Sequence, residues 1–190
     1  MNACDDAKEL CEPGTTRRST GAGNRRDDVM NVCYIYHSYS GTTRRVAERM
    51  QAACGGDCIE VVPRRSYHAL TAYTLGCMRA RNRECDPIDP EVIDVSGYDL
   101  IVIGTPVWAF RATPSINAAI AALKGAEGKN ALVFATCGGQ PGETIPLVRE
   151  ALERKGARVI GEKVFMKGDA EDQKRLDELA GMVREAGEAA

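Results

Sequence analysis

Short apolar runs alternate with stretches of helical periodicity from Met30 onward, and that alternation leaves few folds open. Met30–His37 is apolar, with β-branched and aromatic residues, as a buried strand should be. Cys58–Val62 is a shorter strand that stops at Pro63. Asp99–Ile103 and Ala131–Ala135 are continuous apolar runs of the kind that central parallel strands carry. Arg158–Met166 alternates more, as an edge strand would. Between these runs, Thr43–Cys54 places Val46, Ala47, Met50 and Ala53 on one helix face, with Gly55 just past its end. Tyr67–Arg81 reads as a helix with Gly76 as its weak point. Thr113 and Pro114 read as the N-cap and first residue of a helix carrying Ile116, Ala119, Ile120 and Leu123 and ending at Gly125. Pro146–Lys155 is a helix closed by Gly156, and Asp169 reads as the cap of a last helix with Leu176, Leu179, Ala180 and Val183 inward. Five strands alternating with five helices predict an α/β fold, a three-layer α/β/α sandwich around a five-stranded parallel sheet. In such sheets ligands bind beyond the carboxyl ends of the strands, so the loops that follow the strands should carry the function.

A chain of 190 residues has the length of one domain. Residues 1–29 stand apart, because their Gly, Thr, Ser, Asn, Arg and Asp show no apolar periodicity and cannot offset their ordering entropy. They are expected to be a disordered native tail or the product of a mis-called start, with Met30 the true first residue and 30–190 the domain. An Arg25-Arg26 pair written AGG-AGG would be a ribosome-binding site upstream of Met30. The intact mass of the native protein separates the two. Gly21-Ala-Gly23 is no dinucleotide fingerprint, since no strand precedes it and Arg26 holds the third glycine's place.

Lys plus Arg number 25 and Asp plus Glu 27, a net charge of −2, which excludes nucleic-acid binding by bulk positive charge. No apolar run approaches the ~18 residues of a membrane span, and the acidic start has no apolar signal core, so a cytoplasmic protein without membrane partners is expected. The eight cysteines include no C-x-x-C, and Cys54-Gly-Gly-Asp-Cys58 is the nearest approach to a redox pair. With two histidines and no zinc or iron–sulfur spacing, reduced thiols and no metal are expected.

Three loops hold the chemistry. Ser38-Tyr39-Ser40-Gly41-Thr42-Thr43 sets four hydroxyl side chains, beside Tyr39, and a glycine just before a helix N-terminus, which suits a phosphate. It lacks the lysine of a nucleotide-hydrolysing loop, and a plain Ser/Thr-rich turn is the alternative. Gly104-Thr105-Pro106-Val107-Trp108-Ala109-Phe110 puts the chain's single Trp at the functional edge, where it can stack on a flat ring or plug the sheet end. Thr136-Cys137-Gly138-Gly139 lets backbone approach a ligand closely.

These residues resemble the flavodoxin family. Ile35 to Ala47 fits the family's phosphate-loop signature, with Ser38, Gly41, Thr43 and Ala47 diagnostic, and Gly104 to Ala109 is similar to its second, flavin-flanking loop. The resemblance spans residues 30 to about 187. It implies strand order 2-1-3-4-5 and FMN as cofactor. Ser38, Ser40, Gly41, Thr42 and Thr43, with Tyr39 in the same loop, would hold the phosphate. Thr105, Pro106, Val107, Trp108 and Ala109 would flank the isoalloxazine, and Thr136, Cys137, Gly138 and Gly139 would cover its pyrimidine side. The implied activity is electron transfer between redox partner proteins.

Two departures open an alternative. Residues 30–190 are nearly neutral, with 20 basic against 21 acidic side chains, where the family is acidic, and Arg64, Arg65, Arg79, Arg81 and Arg83 form a basic segment that reads first as a solvated helix face and, more sharply, as a contact for an acidic partner or a nicotinamide phosphate. The third loop also lacks the family's aromatic cover for the outer flavin face. Either Tyr39 or Trp108 covers that face instead, or it is open; an open face suits NAD(P)H or a quinone, so the second expectation is an NAD(P)H-dependent FMN or quinone reductase of the same fold. A signalling receiver domain is excluded by His37-Ser38 and Gly104-Thr105, where acidic residues would be needed. No Gly-x-Ser-x-Gly elbow marks a hydrolase.

Overall fold

The central sheet is built outward from β1 (Val32–Tyr36), whose five residues are all buried. In this computed structural model, which describes residues 30–188, β1 pairs in parallel with β2 (Asp57–Glu60) on one side and β3 (Leu100–Trp108) on the other. Beyond β3 lie β4 (Asn130–Thr136) and β5 (Arg158–Phe165), also parallel. The order is therefore β2-β1-β3-β4-β5, as expected. The tail reading for residues 1–29 lies outside the described residues.

Five helical segments connect these strands: α1 (Thr42–Cys54), α2 (residues 69–81), α3 (Pro114–Ala122), α4 (Thr144–Arg154) and α5 (Gln173–Glu188). Alternation along β1 divides the core in two, because successive strand side chains point to opposite faces. Cys33 and Ile35 face a layer with Ile116, Ile120, Val148 and Leu152 of α3 and α4. Val32, Tyr34 and Tyr36 face Val46 and Met50 of α1 and Leu176, Leu179 and Val183 of α5. β5 alternates between buried and exposed positions, as an edge strand does.

Several elements depart from the sequence expectation. β3 runs on through Gly104 to Trp108 instead of stopping at Ile103, and Arg111–Ala112 folds back to pair Val107 with Ala112 and Trp108 with Arg111. Trp108 thus ends a strand rather than lying in a loop. Val62–Pro63 leaves the main sheet to pair with Ile88–Asp89. α2 begins at Ala69 and contains a π-turn at Ala72–Gly76 between Ala69–Thr71 and Cys77–Arg81. Thr113 is the N-cap of α3, but its hydroxyl is buried without a partner. Asp169 does not cap α5; it opens a 3₁₀ turn and accepts the Met166 amide, while Asp172 accepts the Lys174 amide at the helix start. Cys54 and Cys58 form no disulfide, and their thiols turn to different carbonyls, Ala180 and Ala47.

Candidate functional site

A cleft of about 490 Å³ opens at the carboxyl ends of β1, β3, β4 and β5. Its walls include Tyr39, Ser40 and Thr42 from the first loop, Pro106, Val107, Trp108 and Ala109 from the hairpin, and Thr136, Cys137 and Gly138 from the third loop. Of the residues singled out in the sequence, these ten line the cavity, and Ser38, Gly41, Thr43, Thr105 and Gly139 do not. Lys167 is the only charged side chain among those lining it.

The first loop ends in Gly41 at φ +85°, which turns the chain into α1 without a side-chain cap and without an acidic residue in the first turn. The first amide of this helix with an internal acceptor is that of Arg45, bonded to Gly41 O at 3.0 Å. The amides of Thr42, Thr43 and Arg44 are thus left for an external anion, which the helix dipole also favours. Ser38 Oγ, just upstream, is buried without a hydrogen-bond partner. Ser40 and Thr42 share a hydroxyl–hydroxyl hydrogen bond of 3.2 Å at the rim. Thr43 turns inward instead: it is buried, and its Oγ1 hydrogen-bonds Thr136 Oγ1 at 2.8 Å, joining the first and third loops beneath the cleft. Thr105 is also fully buried, donating to Pro106 O at 2.9 Å and accepting the Thr113 amide at 3.3 Å. Gly139 is exposed at the mouth and does not line the cavity.

Trp108 is held edge-on by three rings, His37 at 6.2 Å, Tyr39 at 5.5 Å and Tyr67 at 5.3 Å between centroids. Such T-shaped pairs fix ring orientation and add about 0.5–1.5 kcal/mol each beyond burial. His37 Nδ1–H donates to Val61 O at 2.9 Å, and burial holds the imidazole below its ordinary pKa, so the ring is neutral. The Tyr67 hydroxyl donates to the buried Asp86 carboxylate at 2.8 and 3.0 Å. Arg79 closes this network with an ion pair to Asp86, a bond from Nη1 to Tyr67 at 3.2 Å and one from Nε to Glu84 at 2.8 Å. Burial first, and then Asp86, push the Tyr67 phenol up to about 12, so it remains a donor. The π-turn presents Gly76 to the indole, and a Cβ there would lie 2.6 Å from Trp108 Cζ3. π-turns recur at functional sites because they shift a helix face locally.

The hairpin tip is strained. Ala109 and Phe110 both have positive φ, +47° and +66°, as a type I′ two-residue turn requires. The Glu143 amide donates to Phe110 O at 3.1 Å and Glu143 pairs with Arg111, so the third loop clasps the tip. In the third loop, a Cβ on Gly138 or Gly139 would meet nothing within 4 Å, so this wall is open.

The sequence reading missed Tyr67, Gly76, Ala72, Tyr73 and Cys77 of the α2 region, and Phe165 to Gly168 at the end of β5 and just beyond it. The last group follows from the carboxyl-end rule applied to the fifth strand. For α2 the one signal was a glycine inside a helical pattern. Among the described residues no His, Cys, Asp and Glu are grouped to hold a metal ion.

A family model described as Flavodoxin matches residues 31–168. Among solved structures, a protein from Bacteroides eggerthii assigned as a flavoprotein is 23% identical, with 82% of this chain and 98% of that one covered and a TM-score of 0.66. Another from Bacteroides uniformis is 20% identical, with 79% and 97% covered and a TM-score of 0.67. A flavoprotein from Lactobacillus acidophilus, solved in complex with FMN, is 22% identical, with 78% and 97% covered and a TM-score of 0.63. At these identities the likeness establishes the fold. Comparison with curated proteins gave no match.

Proposed function

We propose that this chain, which belongs to the flavodoxin family, binds FMN in the cleft and transfers electrons between redox partners. The observation that carries this reading is the uncapped N-terminus of α1 beside the unpartnered Ser38 hydroxyl, opening into a cleft without carboxylates. Free amides, a buried donor and the helix dipole together suit a phosphate monoester. Ser38, Ser40, Gly41 and Thr42 would hold the phosphate, with Thr43 bracing the loop through Thr136. Trp108, fixed by Tyr67, Tyr39 and His37, would flank the isoalloxazine with Val107 and Ala109. Thr136, Cys137 and Gly138 would line its polar edge. Bound there, FMN supplies one- and two-electron transfer coupled to proton uptake. The chain's part is to anchor the phosphate, orient the ring and exclude water with Val107, Phe165 and Met166. A cytoplasmic setting is supported by the six described cysteines, all free. No helix among the described residues is long and apolar enough to cross a membrane. The test is purification: the protein should be yellow and release FMN on heating, and a colourless protein that does not take up added FMN overturns the assignment.

The open third-loop wall favours a second reading, an NAD(P)H-dependent FMN or quinone reductase. Oxidation of NADPH in the presence of menadione, at many turnovers per second, distinguishes it from a carrier.

A further inference from the structure

Residues 61–83 contain five arginines and no Asp or Glu. Three of the five are committed: Arg79 to Asp86 and Glu84, Arg64 to Glu91, and Arg83 to Glu150. Arg65 and Arg81 are exposed and form no ion pair among the described residues. Between them α2 turns an apolar face outward, with Leu70 77% exposed, Tyr73 79%, Met78 54% and Leu75 46%. Exposed apolar side chains are ordinary singly, but four within nine residues of one helix are not. Tyr73 also lines the cleft, so the patch continues into the cofactor wall.

Resting on the FMN reading above, we propose that the outer face of α2 is the docking surface for an acidic electron-transfer protein. Its partner would present an apolar centre ringed by carboxylates. Leu70, Tyr73 and Met78 would form the dry contact beside the flavin, and Arg65 and Arg81 would steer and orient it. The polarity is the reverse of an acidic carrier that seeks basic partners. A second copy of this chain fits poorly, because a two-fold contact through this face would set arginine against arginine. The buried Asp86–Tyr67–Arg79 network gives the surface a rigid base.

The test uses the FMN-loaded full chain with two probes of opposite charge: oxidised, it is mixed with reduced acidic plant-type ferredoxin, and after reduction by dithionite it is mixed with oxidised basic cytochrome c. The rate with the acidic probe should fall as ionic strength rises, and the rate with the basic probe should not. Arg65→Glu with Arg81→Glu should lower the ferredoxin rate at least tenfold at low salt and abolish its salt dependence. Leu70→Ser with Met78→Ser should lower the rate while the salt dependence remains. None of these residues lines the cleft, so FMN affinity and reaction with ferricyanide should stay unchanged. A rate with cytochrome c that falls as ionic strength rises while the ferredoxin rate does not, or rates untouched in both double variants, overturns the docking surface. So does dimerisation, or binding to phosphatidylserine vesicles, that the same variants abolish. Failure to bind FMN is a separate result and overturns the cofactor reading itself.

Discussion

Gly76 sets two effects of opposite sign against each other. On helix propensity alone, Gly76→Ala should stabilise by about 1 kcal/mol. The added Cβ, however, would lie 2.6 Å from Trp108 Cζ3, and forcing bulk into a packed contact costs roughly 1–3 kcal/mol. The ring is held from three other sides, so the clash should win. The expected result is a net loss of about 1 kcal/mol in urea unfolding and a shift in tryptophan fluorescence, which reports Trp108 alone because the chain has one Trp. A gain in stability with unchanged emission would show that α2 does not lean on the indole. Trp108→Ala should weaken FMN binding and change the flavin absorbance, and an unchanged spectrum and affinity would place the ring outside the site. For the phosphate, Ser38→Ala is a cleaner probe than Thr43→Ala. Removing the Thr43 hydroxyl also leaves Thr136 without its partner, at about 1–3 kcal/mol of stability. Ser38 has no such partner to strand, so its loss should cost FMN affinity and leave riboflavin affinity unchanged.

At the scale of elements, the hairpin after Trp108 stores strain that can be relieved. Left-handed backbone costs an Ala about 1 kcal/mol or more, and glycine adopts it freely. Ala109→Gly should therefore raise stability by about 1 kcal/mol, or roughly 2–4 °C in Tm for a chain of this size. A lower Tm would mean that the Ala109 methyl packs in the hairpin more than its backbone is strained. This hairpin was also the least legible element. Gly104, Thr105 and Pro106 read as loop residues, yet they continue β3. Glycine at position 104 leaves room for the Phe134 ring, which any Cβ would meet. Pro106 is tolerated because β1 stops pairing at Gly104, so one neighbouring strand has already ended. The central strands and α1, by contrast, were legible because burial on both faces demands unbroken apolar runs and amphipathic helices to cover them. The π-turn of α2 escaped because one extra residue in a helical turn leaves no mark on a short periodic pattern.

For the whole molecule, alternation and the loop motifs carried the sheet order and most of the cleft, while long-range polar pairing did not show in the chain. Nothing near Asp86 in the sequence announces that it anchors Tyr67 and, through it, Trp108. The buried ionisable groups have a second consequence, which belongs to the fold as a whole. His37 is kept neutral by burial, so the unfolded chain binds a proton below about 6.5 that the folded chain resists, and stability falls as pH drops through that range. On the alkaline side the sign reverses. Cys33 lies fully buried in β1, and burial raises its thiol from about 9 to about 12. The unfolded chain releases this proton near 9 while the folded chain retains it, so the stabilisation is complete below pH 9 and is lost as pH rises toward 12. Each such group lowers stability by about 1.4 kcal/mol per pH unit in that interval. Cys58, raised to about 11, acts in the same direction. The urea midpoint should therefore be level between about pH 6.5 and 9 and decline on either side. Cys33→Ala should be less stable at neutral pH, from the lost packing, yet show a shallower alkaline slope. An unchanged slope in that variant would assign the alkaline loss to Cys58 and Tyr67 instead.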